Sequence, residues 1–266
     1  MLGSVTKTLM PVLFIAHGAP TIVIQKGQYP DFLAKIPETI KKPQAIVVFT
    51  AHWESEIQQI SSVKNYETIY DFYGFPKEMY EMTYPAPGNT TIAKEIHELF
   101  KANGIKSELD EKRGLDHGAW TILRLMYPKA DIPVIQLSVN PAASAEEAYK
   151  IGKALAPLRE KDILIIGSGN TVHNLRILNR SEIDAPTEKW ALEFDDWIAK
   201  QLKEWNTQEL FAYEKKAPHI KKAVPTAEHF LPLVYSAGAA DETKKANPIH
   251  RSSQFGNLTY FTWRFD

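Results

Sequence analysis

The chain has 266 residues, 44% of them hydrophobic and 24% charged, a composition that excludes a disordered polymer and a small cross-linked domain. Lys and Arg number 31 against 32 Asp and Glu, a net charge of −1, so no bulk field draws the protein to nucleic acid or to an anionic membrane. The absence of cysteine removes disulfides, iron–sulfur clusters, thiolate zinc sites and cysteine nucleophiles.

Residues 9–16 (LMPVLFIA) are a short apolar run halted by His17 and Gly18, and read as a buried strand. The N-terminus carries one lysine and no small-residue cleavage pattern follows the run, so it reads as the lead into that strand and not as a signal peptide. Pro43 opens a second run, QAIVVFTA, whose β-branched residues favour a strand ending at His52. Residues 57–63 (IQQISSV) are a third candidate. Residues 66–89 hold aromatics and prolines in irregular order and read as a long ordered loop, a common seat of function.

Ile92, Ala93, Ile96, Leu99 and Phe100 have helical spacing and predict a helix over 90–103, stopped by Gly104. GLDHGAW (114–120) reads as a loop leading into a helix over 119–127. Residues 133–139 (PVIQLSV) and 162–169 (DILIIGSG) read as strands, and the GSGN at 167–170 lacks the third glycine of a dinucleotide fingerprint. Between them, 144–159 reads as a helix with Ser144 and Glu147 spaced for a capping box. A further helix is expected over 187–205. Thr226 is placed to cap another, with Glu228 and His229 in its first turn. Residues 257–265 (NLTYFTWRF) alternate like a half-buried edge strand.

No run of about 18 apolar residues exists, so no membrane span is expected. Strand and helix patterns alternate, and the continuous apolar runs suit strands covered on both faces. The expected fold is α/β: a single domain over residues 1–266, with a central, mostly parallel sheet flanked by helices.

The histidines carry the chemistry. Three of the eight, His17, His52 and His173, follow the ends of apolar strands. In open α/β sheets ligands bind beyond the carboxyl ends of the strands, so one rim can gather three imidazoles. Neutral imidazole ligates zinc, iron, copper and nickel. A strand-end histidine can equally be a hydrogen-bonded structural residue, and spacing does not separate the two. His117 stands between Asp116 and Gly118, where the flanking carboxylate would favour the protonated ring. A helix N-terminus would favour the neutral form of His229. His97, His219 and His250 read as structural. Ser168 is not framed as a nucleophile elbow.

Taken in order, HGAP (17–20), PQAIVVFTAHW (43–53), DFYGFP with YPAPG (71–88), GLDHGAW, SGNTVHNLR (168–176) and AEHFLPL (227–233) resemble the class III extradiol ring-cleaving dioxygenases, nearest their 4,5-DOPA dioxygenase branch. The motifs span residues 17 to 233. The resemblance places metal-binding histidines at His17, His52 and His229. It places His173 beside the metal as a fourth ligand or an acid/base group, and His117 next to substrate and dioxygen. It implies a cytoplasmic, non-haem enzyme that uses dioxygen to open a DOPA-like catechol to a muconic semialdehyde. Fe(II) is the active metal so implied, and an all-histidine set also suits Zn(II). Tyr73, Phe75 and Tyr84 of the aromatic loop are candidates to wall off the flat ring, with core packing as the other role open to them. The implied partners are small molecules, with neither nucleic acid nor membrane, for a monomer or small homo-oligomer. The alternative is a zinc hydrolase that activates water on the same histidines.

Overall fold

A computed structural model describes residues 9–266; the reading of residues 1–8 as the lead into a strand lies outside it. Eight strands form one sheet: β1 (Val12–Ala16), β2 (Ala45–Glu54), β3 (Gln58–Ser61), β4 (Ser107–Asp110), β5 (Val134–Val139), β6 (Ile163–Gly169), β7 (Ala246–Gln254) and β8 (Leu258–Phe265). Their order is β4-β3-β5-β2-β6-β1-β8-β7. The centre, β5-β2-β6-β1, is parallel throughout. The larger helices are α1 (Gln28–Lys35), α2 (Thr90–Ala102), α3 (His117–Met126), α4 (Ala145–Ala154) and α5 (Lys189–Lys203). Three short ones, α6 (Thr207–Phe211), α7 (Tyr213–Lys216) and α8 (Ile220–Ala223), precede α9 (Leu231–Ala239). Among the described residues no helix is long and apolar enough to cross a membrane.

Every residue of β1, β5 and β6 is buried, because a parallel sheet is covered on both sides. Successive side chains point to opposite faces. Val12, Phe14, Val47, Phe49 and Ile165 therefore pack in one core with α2, α4, α5 and α9. Leu13, Ile15, Ile46, Val48 and Ile166 pack in a second core with α1 and α3.

The structure moves several expected boundaries. The capping box at Ser144 and Glu147 is formed, but α4 ends at Ala154 because Pro157 cannot donate within an α-helix; a 3₁₀ stretch follows. Helix α3 starts at His117, two residues early, because Asp116 caps it. Thr226 caps nothing: its hydroxyl donates to Glu228, and α9 begins at Leu231 with Pro232 in its first turn. His229 thus lies on the turn before the helix. Strand β8 is interior, held between β1 and β7 by antiparallel pairing, and the edge is β7. The polar run ANPIHRSSQ of β7 shows no apolar alternation, and neither it nor the four-residue β4 was legible as a strand. The eight-residue α1 also went unseen.

Candidate metal centre

Strands β1, β6 and β2 are parallel neighbours and end side by side. His17 follows β1, and its N–H donates to the Gly169 carbonyl of β6 at 3.1 Å. Register pairs both Ile15 and Thr50 with Ser168. His17 and His52 each lie two residues further on, so the strand period turns both rings to the face that α3 covers. A Cβ on residue 118 would lie 2.8 Å from His52 Cδ2, so α3 can start this close to His52 only with a glycine there. His229 arrives from much further along the chain. Its carbonyl accepts from the Asn170 N–H at 2.8 Å. A Cβ at Gly169 would stand 2.1 Å from the same oxygen, so glycine is what admits this segment to the rim.

The hydrogen bonds fix where the lone pairs point. Ser168 has one hydroxyl proton and gives it to the Gly118 carbonyl. Its 3.0 Å contact with His17 Nδ1 must then be one in which Nδ1–H donates, leaving the lone pair on Nε2. Glu228 Oε1, 2.9 Å from His229 Nδ1, does the same for that ring. His229 Nε2 is buried and has no hydrogen-bond partner among the described residues. Asp71 Oδ2, 3.5 Å from His52 Nδ1, favours a proton there. The Nε2 atoms of His17 and His52 consequently face each other at 3.0 Å. Two lone pairs repel at that distance, and a cation shared by both relieves the repulsion. The spacing is that of adjacent imidazole ligands, each about 2.1 Å from one ion.

Ligand atoms of His17, His52 and His229 all lie within 4.8 Å of one another. With the outer nitrogens of His17 and His229 hydrogen-bonded and that of His52 facing Asp71, they have the form of a divalent metal site. Burial, reinforced by repulsion between neighbouring rings, holds all three well below the ordinary histidine range. Burial also takes His173 down to about 4. All four are therefore neutral at pH 7, the form that ligates metal or accepts a proton. For His229 the cause is burial and not a helix N-terminus, since the ring precedes α9.

His117 opens α3, but its chain neighbour Asp116 turns away, accepting from Thr50 Oγ1 at 2.7 Å and from the Ala119 N–H. The carboxylate that meets His117 is Asp71, from the aromatic loop. Its Oδ1 accepts from the His117 N–H at 2.9 Å, and its Oδ2 lies 2.9 Å from His117 Nδ1. Burial alone would raise the Asp71 carboxyl; contacts with the side chain and N–H of His117, aided by His52, bring it down to about 2. The rings of His117 and His52 have centroids 3.9 Å apart. His173 stands beside the trio: its ring stacks on His229, centroids 3.5 Å apart and planes within 8°.

His17, His52, Asp71, His117 and His173 open on a cleft of about 500 Å³, and His229 lies behind them. Tyr73 and Phe75 line it, together with Phe72. Tyr84 does not. It is 1% exposed, packs in the α1–α3 core and donates to the Tyr127 carbonyl at 3.0 Å. Its expected place at the substrate is corrected, because membership of a loop does not say which way a ring turns. His97, His219 and His250 lie outside the cleft and bond Ser107, Glu193 and Ser252. Sequence reasoning missed Asp71, although it opens the DFYGFP motif, and it assigned no role to the cleft-lining Leu178 and Arg180.

Residues 11–263 match the family model described as the catalytic LigB subunit of aromatic ring-opening dioxygenase. The chain is 43% identical, over 256 residues covering 95% of each protein, to a 4,5-DOPA dioxygenase extradiol of Beta vulgaris. It is 37% identical over 257 residues to one of Escherichia coli, covering 96% of this chain and 94% of that one. The crystal structure of an uncharacterised Escherichia coli protein aligns with a TM-score of 0.82 at 32% identity, covering 97% of this chain and 100% of the other.

Proposed function

The chain belongs to the LigB family of aromatic ring-opening dioxygenases and is an extradiol ring-opening enzyme; from that premise we propose that it opens a DOPA-like catechol to a muconic semialdehyde, with residues 1–266 as one catalytic domain. The observation that carries this reading is the pair of Nε2 lone pairs facing each other at 3.0 Å, with the orphaned His229 Nε2 beside them, on a cleft with an aromatic wall. His17, His52 and His229 would hold Fe(II), one of the ions that a neutral three-imidazole set with open positions accepts and the one able to exchange electrons with dioxygen. Bound there, Fe(II) supplies the Lewis acidity and redox capacity that ring opening by dioxygen requires.

The protein's own residues do the rest. Phe72 and Phe75 offer an apolar wall for a flat ring. His173 is the base for a catechol hydroxyl: its ring makes no side-chain hydrogen bond among the described residues, and burial keeps it neutral at pH 7, the form that accepts a proton. A proton transfer of this kind contributes about 10²–10⁴-fold. Asp71 Oδ2 stands 2.9 Å from His117 Nδ1, which leaves Nε2 as the atom to exchange a proton with the oxygens undergoing reaction. The carboxylate compensates the positive charge the ring carries when both nitrogens are protonated. Family membership displaces the zinc-hydrolase alternative.

The test is to load the protein with Fe(II) without air, add DOPA and then admit air. A yellow semialdehyde chromophore is expected with Fe(II) and not with Zn(II). His17→Ala and His52→Ala should lose metal and activity together, whereas His117→Ala should keep the metal and lose turnover. A product that forms without dioxygen refutes the proposal.

A further inference from the structure

The cleft has a charge that the metal centre does not use. Among the described residues that line it, the only carboxylate is Asp71 and the only Lys or Arg is Arg180. Asp71 is spent on His117 and His52. The Arg180 side chain makes one hydrogen bond, from Nη2 to the Leu175 carbonyl at 3.1 Å, and no ion pair with a described residue. That single bond ties the guanidinium to its own loop and leaves its other donors free. Leu175, Leu178 and Phe255 line the cleft with it, and Leu175 is 47% exposed, Tyr73 91%. Apolar side chains this open at a cleft mouth are surface a ligand can cover.

We infer that Arg180 is a specificity-determining residue that receives an anionic substituent, a carboxylate on the side chain of a catechol. The inference rests on the ring-opening reading for the catechol itself. A catechol whose two oxygens point to His17, His52 and His229 must direct a substituent on the far side of its ring away from them, along the cleft. The apolar wall takes the ring and its methylenes. The Arg180 guanidinium on the same cleft takes the carboxylate, by the paired N–H geometry that suits Arg better than Lys. A substituent with an ammonium and no carboxylate would meet Arg180 with like charge and no free carboxylate.

The experiment compares 3-(3,4-dihydroxyphenyl)propionate with uncharged 4-ethylcatechol. Binding of each to the metal-loaded, oxygen-free protein is measured by calorimetry for the parent, Arg180→Ala and Arg180→Lys, and kcat/KM is then measured in air. The parent should prefer the propionate about tenfold, the lower end for a charge-assisted hydrogen bond at an exposed position. Arg180→Ala should bring the ratio near one, through KM and not kcat, and Arg180→Lys should restore part of it. A ratio that is near one in the parent, or that Arg180→Ala leaves in place, overturns the assignment. If both catechols are opened without charge preference, Arg180 is ruled out and the ring-opening reading stands. If the preference depends on Arg180 and neither catechol is opened, the assignment stands and the ring-opening reading fails.

Discussion

Replacing Ser168 by alanine tests the lone-pair argument without touching a ligand. The hydroxyl is fully buried and does two things: it donates to the Gly118 carbonyl and accepts from His17 Nδ1. Ser168→Ala leaves the His17 Nδ1–H without its acceptor, at about 1–3 kcal/mol, while the Gly118 carbonyl keeps its bond within α3. It also frees the His17 proton to move between the two nitrogens, so that part of the population presents Nε2–H to the metal. Loss of an outer partner of this kind costs about 10–100-fold in metal affinity, or about 1.4–2.8 kcal/mol. The assay is competition against a chromogenic chelator, with urea unfolding of the metal-free chain run alongside. The expected signature is weaker metal binding and lower stability, while kcat at saturating metal stays within a few-fold of the parent. Metal affinity within twofold of the parent would refute the argument that Ser168 sets the tautomer. Loss of kcat at full metal loading would instead make Ser168 a reacting group, which its engaged hydroxyl argues against.

Two further outcomes follow from carboxylates. Asp71→Asn replaces an acceptor facing both His117 Nδ1 and His52 Nδ1 with an amide that cannot carry negative charge; metal affinity should weaken through His52 while kcat at saturating metal falls about 10²-fold, and a kcat within a few-fold of the parent would refute the pairing with His117. Asp195 is buried, its Oδ1 accepting from Thr171 at 2.6 Å and its Oδ2 unbonded among the described residues, 3.9 Å from Arg251. Burial, opposed by Thr171 and Arg251, raises it from 3.8 to about 7. The folded chain then binds the proton more tightly than the unfolded one, so this group's contribution to stability falls as pH rises from about 4 to about 7 and is level above. Asp195→Asn should remove that slope, gaining on the parent by about 3 kcal/mol between pH 5 and pH 8; urea midpoints at the two values check it, and parallel behaviour would refute it.

What the sequence made legible depends on how far apart the interacting residues stand in the chain. The four central strands could be read because a strand buried on both faces needs an unbroken apolar run, and β1 and β6 are such runs. His17 and His52 could be placed on one rim because each is joined to such a strand. His229 could not be placed that way. Nothing near it announces that its carbonyl docks on Asn170, or that Gly169 must lack a side chain to admit it; only the motif resemblance pointed there. The partner of His117 shows the same limit in reverse. Asp116 is adjacent in sequence and was the obvious candidate, yet its backbone position at the start of α3 commits its carboxylate to the helix N-terminus. The acid that serves the histidine is Asp71, 46 residues away. Tyr84 and Phe75 belong to the same aromatic loop and were indistinguishable by composition, but one fills a core and the other faces the cleft. A helix cap or an apolar strand is decided by its neighbours in the chain. The proton positions on these imidazoles are decided by Ser168, Glu228 and Asp71, which only the folded sheet brings to one place. The chemistry of the site is therefore a property of its outer hydrogen bonds as much as of the histidines, and those are the contacts that local pattern does not encode.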